Sequence, residues 1–146
     1  MKASRLVSLA FGAVALVAGA HVLAPHAWAH GDVQPQPVNT DGLAPLGEEW
    51  KEENPYRGDP KAIEIGSSGY NQNCARCHGL EVISGGLAPD LRHLEKGKEG
   101  DEWFSQRVQG GAIINGVTKM PSFAGVISQE GLWAIRSYIE SQHVDD

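Results

Sequence analysis

Sulfur and aromatic residues are scarce in this chain: only two of its 146 residues are cysteine, two are methionine, and aromatic residues make up 7%. Two cysteines allow one disulfide at most. At positions 74 and 77 the closed loop would be so short that a bridge would be strained or catalytic rather than a structural staple. Basic residues are few as well, with 12 Lys+Arg against 18 Asp+Glu, a net charge of −6. Lys2 and Arg5 are the only charged residues among the first 29, so the rest of the chain carries −8. A chain this acidic excludes nucleic acid as a partner. Past residue 29 no apolar run approaches the roughly 20 residues of a membrane-spanning helix. The apolar fraction, 41% overall, falls there to roughly a third, thin for a self-sufficient core. Something other than side chains should complete that core.

At the amino end, Lys2 and Arg5 precede the uncharged apolar stretch Leu6 to Ala20, and Ala27-Trp28-Ala29 fits an A-x-A cleavage site. The stretch is short for a spanning helix, and His21, Pro25 and His26 interrupt its end. Residues 1–29 therefore read as an export signal cleaved after Ala29. The mature chain then begins at His30 and is a periplasmic protein without a membrane span.

Residues 30–58 carry Pro35, Pro37, Pro45 and Pro55 with scattered acids and almost no periodicity, and read as an extended arm laid over a domain surface. Trp50 and Tyr56 are its large anchors. Asp59-Pro60 is an N-cap followed by proline at the first helical position, and Ile63, Gly66 and Tyr70 recur at helical spacing up to the cysteines. Residues 79–100 are glycine-rich loop with at most a short turn. Asp101-Glu102 opens a second helix through Val108, stopped by Gly110-Gly111. Asn115-Gly116 is a turn signal, and Pro121 keeps the next segment out of helix. Ser128, Gln129 and Glu130 open a last helix with Leu132, Ile135 and Ile139 on one face, ending near His143. No strand is expected, so the fold class is all-α, with one domain over residues 59–143.

Cys74-Ala75-Arg76-Cys77-His78 is C-x-x-C-H, the c-type haem attachment sequence. Two thiols three residues apart at a helix end can each add to a haem vinyl group, and the adjacent imidazole is then held against the iron. The macrocycle would also supply the missing core. A zinc site needs a second ligand cluster, which is absent from the sequence. A thioredoxin-like C-x-x-C needs a βαβ setting, which the helical pattern does not offer.

The sixth iron ligand follows by elimination. Met1 leaves with the signal, so Met120, in the loop Val117 to Pro121, is the mature chain's one thioether. Histidine–methionine ligation raises the potential and closes the iron to substrates, which suits electron transfer. Lys119, His93 and His143 are the rival ligands. Copper held by the mature amino terminus and His30 is a remote alternative.

The order of C-x-x-C-H, downstream Met-Pro and a terminal aromatic helix resembles the class I cytochrome c domain. The resemblance implies that Gly66 and Tyr70 of the first helix pack against Ile135 and Tyr138 of the last. It also implies that Pro89 offers its carbonyl to the second ring nitrogen of His78, and one haem c with His78 and Met120 on the iron. Trp103 and Arg107 either reach the haem propionates or form a surface stripe. The strings Gly47-Glu48-Glu49-Trp50, Glu53 to Arg57 and Tyr70 to Gly79 are similar to small periplasmic cytochromes c that accept electrons from PQQ-dependent alcohol dehydrogenases. Acceptors of methanol dehydrogenase are more distant relatives. This likeness implies a monomeric one-electron carrier with a quinoprotein alcohol dehydrogenase as donor and a terminal oxidase or other redox protein as acceptor. Another dehydrogenase as donor, or a haem-based sensor of small ligands, is the alternative. A peroxidase would need distal acid–base residues, and the sequence offers no clear pair.

Overall fold

The computed structural model describes residues 34–145. The export signal read over residues 1–29, and His30, lie outside them. Helix α1 spans Pro60–Asn73. The extended Asp59 caps it, its carboxylate accepting from the N–H groups of Lys61 at 2.8 Å and Ala62 at 3.3 Å, while Pro60 lacks the N–H that would need a partner there. The last helix, α4, spans Gln129–Ser141 and starts from Ser128, whose hydroxyl accepts from Gly131 N at 3.2 Å.

Every residue of α4 from Gly131 to Ile139 is buried. A helix buried on every face belongs inside, with other elements on every side. On one side α1 crosses it at Gly66, where a Cβ would stand 1.9 Å from the Ala134 carbonyl oxygen, so only glycine permits the approach. Beside that crossing Tyr70 and Tyr138 pack at 5.4 Å between ring centroids, tilted by 56°. The pairing implied by the family likeness is thus present.

Helix α3, Gly97–Gly110, also meets α4. It starts four residues earlier than the Asp101-Glu102 signal suggests, because Asp101 is not an exposed first-turn acid. Its carboxylate is fully buried and accepts from Arg136 Nε at 2.8 Å and from Asn54 N at 2.8 Å, and it pairs with Arg57. Arg136, itself fully buried, donates a second bond to the Glu95 carbonyl at 2.6 Å. Arg57 completes the chain of charges by pairing with Glu140.

A short antiparallel hairpin corrects the expectation of no strands. Strands β1 (Ala112–Ile114) and β2 (Val117–Met120) pair with Ile114 opposite Val117 and Ile113 opposite Thr118. Asn115 and Gly116 between them both have positive φ, 52° and 73°, as a type I′ turn requires. Strands of three and four residues are too short to display an alternating pattern. The class remains helical.

Residues 34–58 lie along the helices. Trp50 stacks on Trp133 of α4 at 5.1 Å. The amides of Leu46 and Lys51 donate to Glu130 Oε1 at 2.8 Å and Gln129 Oε1 at 2.9 Å, and Gln129 Nε2 donates back to the carbonyls of Gly47 and Glu49. Asn54 Nδ2 donates to Ser137 Oγ, and Tyr56 is buried with its hydroxyl on the Ala44 carbonyl.

Candidate haem site

Helix α1 ends at Asn73, and Cys74 is at once its C-cap and the start of the one-turn helix α2, Ala75–His78. Cys74 donates its backbone N–H to Tyr70 O at 2.7 Å, while the amides of Cys77 and His78 both return to Cys74 O, at 3.1 and 3.0 Å. The two thiols are therefore fixed one turn apart, and neither is in a disulfide. Burial pushes the Cys74 thiol up to about 12, with Cys77 beside it adding to the shift, so the group is held as neutral S–H. Gly79 closes the turn with φ of +84°, and a Cβ there would stand 1.8 Å from the Ile83 carbonyl oxygen. Its own carbonyl accepts from the Tyr70 hydroxyl at 2.9 Å, tying the turn back to α1.

His78 Nδ1 lies 2.9 Å from the Pro89 carbonyl oxygen. A carbonyl cannot donate, so Nδ1 carries the proton and the lone pair is on Nε2. This is the tautomer a ligating imidazole needs, and the bond to the carbonyl raises its basicity. The segment bearing Pro89 is itself fastened. Ser84 Oγ donates to Ala88 O at 2.5 Å and accepts from Gly86 N at 3.0 Å. Asp90 caps the 3-10 turn Leu91–His93 by accepting from Arg92 N at 3.0 Å. Its hydrogen bonds to the Arg92 side chain hold its carboxyl well below the usual carboxylate range.

Met120 is the last residue of β2 rather than part of a loop. It is half-buried, packed against the core, and its carbonyl oxygen lies 2.6 Å from where a Cβ on Gly111 would be. No hydrogen bond joins it to His78 among the described residues. Of the rival ligands, Lys119 is exposed on β2, and His93 is exposed on the turn Leu91–His93. Both ring nitrogens of His143 are engaged, Nδ1 with Leu94 O at 3.2 Å and Nε2 with Asp145 at 3.3 Å. The Arg107 guanidinium sits 5.5 Å over the Trp103 ring, so these two residues stack on each other. Sequence reasoning missed Ser84 and the bond from the Tyr70 hydroxyl to Gly79, because neither contact carries a motif.

The residues fit a covalently attached haem. Two free thiols stand beside an imidazole with Nε2 available. The segments that follow expose Leu80, Ile83 and Leu87 on one stretch and Ile113, Ile114 and Val117 on the hairpin. Exposed apolar side chains on a small domain are what a bound group can cover. Among the described residues no group of three or more His, Cys, Asp or Glu could hold a metal ion by itself. Nor is any helix there long and apolar enough to cross a membrane.

A small helical domain with this attachment turn is a c-type cytochrome, an electron-transfer protein rather than an enzyme. Comparison with known proteins agrees. The family described as cytochrome c oxidase, cbb3-type, subunit III matches residues 61–139. Cytochrome c550 of Pseudomonas aeruginosa is 64% identical over 124 residues, 82% of this chain and 86% of the relative. Two quinohemoprotein alcohol dehydrogenases of Pseudomonas putida, ADH IIB and ADH-IIG, are 36% and 37% identical over 92 and 81 residues. These matches cover 63% and 56% of this chain but 13% and 11% of the dehydrogenases. No solved structure gives a significant match. The chain belongs to the cytochrome c family, as a homologue of cytochrome c550.

Proposed function

We propose that the protein is a soluble, periplasmic, monohaem carrier that takes electrons one at a time from a PQQ-dependent alcohol dehydrogenase and passes them towards a terminal oxidase. In this reading residues 1–29 are removed after Ala29, residues 30–58 are the arm, and residues 59–143 form the haem-bearing domain. Cys74 and Cys77 hold haem through thioether bonds, His78 Nε2 and the Met120 sulfur ligate the iron, and the Pro89 carbonyl orients the His78 ring. The haem supplies a couple that accepts and returns a single electron. The bond from His78 Nδ1 to the Pro89 carbonyl at 2.9 Å carries the reading, since it fixes both the tautomer and the direction of Nε2.

The donor is supported by likeness to stretches of two alcohol dehydrogenases that their names describe as containing both quinone and haem. The charge sets a condition on that partner, because a chain at −6 overall and −8 beyond residue 29 meets best a partner with a basic face. Such carriers exchange electrons in brief encounters through small interfaces, where charge governs the on-rate more than the affinity. Stopped-flow reduction of the oxidised protein by a reduced PQQ alcohol dehydrogenase, repeated at rising salt, tests the reading. Fast reduction that slows with salt is expected. Slow, salt-insensitive reduction assigns the carrier a different donor.

A further inference from the structure

We propose that Ser84 is a positioning residue for the His78 imidazole, acting through the peptide units on either side of Pro89; the proposal rests on His78 being the iron ligand. Ser84 reaches the chain before and after that proline. Its hydroxyl donates to the Ala88 carbonyl at 2.5 Å, and its backbone N–H donates to Asp90 Oδ2 at 3.3 Å. The same hydroxyl accepts from Gly86 N at 3.0 Å, so its proton is directed at Ala88.

The Ala88 carbonyl belongs to the peptide whose nitrogen is that of Pro89, and the peptide is planar. Pinning that oxygen fixes the plane entering Pro89, and the ring locks φ. The aim of the Pro89 carbonyl then depends on ψ alone. Asp90, the next residue, is held by three further bonds, all from Arg92, with Oδ1 accepting from its N and Nε at 3.0 Å each and Oδ2 from its Nη2 at 2.7 Å. Ser84 and Arg92 together leave the carbonyl little freedom, and the 2.9 Å contact with His78 Nδ1 is its result. Glu81 and Val82, just upstream, adopt left-handed backbone with φ of 53° and 65°. For a buried β-branched valine that conformation persists only where the surroundings over-determine it, which marks the stretch leading into Ser84 as rigid.

A firmly aimed acceptor gives the imidazole anionic character, which favours ferric over ferrous iron. Without the Ser84 hydroxyl the acceptor drifts, the ring becomes a poorer donor, and the reduction potential rises. The test uses the full haem-loaded protein with Ser84→Ala, Ser84→Thr and Asp90→Asn. NMR of the ferrous state reads hydrogen exchange at His78 Nδ1, and voltammetry reads the potential. Expected for Ser84→Ala are a raised potential and faster exchange at His78 Nδ1. Ser84→Thr, which keeps the hydroxyl, restores both. Asp90→Asn speeds exchange too; its potential is not compared, since removing a charge shifts that by itself. Unchanged exchange and potential in Ser84→Ala, with the sulfur-to-iron charge-transfer band intact, overturn the proposal and leave the ligation reading standing. A wild-type ferrous spectrum with no iron-bound imidazole resonances for His78 overturns both.

Discussion

Gly66 lies directly beneath the carbonyl of Ala134, so close that a methyl group would stand 1.9 Å from the oxygen and 2.4 Å from the carbon. Backbone on both sides cannot yield as a side-chain end does, so Gly66→Ala must push α1 and α4 apart. We expect a loss at or above the upper end of the ~1–3 kcal/mol usual for overpacking. Thermal unfolding measures it. Gly110→Ala, at a helical position with open space and no positive φ, is the control and should stabilise by up to ~1 kcal/mol.

Asp101 and Arg136 are both fully buried and bound to each other at 2.8 Å. Asp101→Ala leaves the guanidinium with one carbonyl partner, Glu95, and a Glu140 carboxylate 3.9 Å away. The expected cost is about 3–5 kcal/mol, read by urea denaturation. The double change Asp101→Leu with Arg136→Met removes both charges and should cost less than Asp101→Ala alone.

Glu130 anchors the arm by accepting from Leu46 N, and that bond holds its carboxyl below the usual carboxylate range. An acid whose folded pKa is depressed stabilises the protein above its unfolded value, and the contribution disappears as pH falls through the folded one. The protection of the Leu46 amide, its exchange rate relative to an unstructured amide at the same pH, should therefore fall below about pH 4, the ordinary range of a glutamate. Glu130→Gln keeps an acceptor oxygen and should flatten that dependence. Hydrogen exchange at single-residue resolution decides it.

Met120→Ala should lower the reduction potential and open the iron to carbon monoxide, because a weak thioether donor stabilises the ferrous state. An unchanged potential with the sulfur-to-iron band still present would remove Met120 from the ligand set. Cys74→Ser with Cys77→Ser should abolish haem retention on a denaturing gel.

What could be read from the chain depended on how far apart in sequence the cooperating groups lie. Cys74, Cys77 and His78 lie within five residues, and one helical turn suffices to bring them together, so the attachment chemistry is visible in five letters. Asp59-Pro60 and Ser128 mark helix starts by local hydrogen bonding and are equally plain. Asp101 misleads because its local pattern suits an exposed helix start, while its partner Arg136 lies 35 residues on and shows only in three dimensions. The hairpin hides for another reason: its strands are short and carry exposed Ile113, Ile114 and Val117, so only the Asn115-Gly116 turn betrays it. Pro89 is legible through the family likeness alone, since nothing local marks one carbonyl as an acceptor. Ser84 leaves no signal at all.

The arm between Leu46 and Lys51 is held to Gln129 and Glu130 through its own main-chain amides and carbonyls, with Trp50 as the side chain that packs. Main-chain groups are the same whatever residue bears them. The outward-facing Glu48, Glu49, Glu52 and Glu53 are therefore free to be exchanged over generations without loosening the strap. A lineage could reverse the sign of this rim while the attachment beneath it stayed as it is.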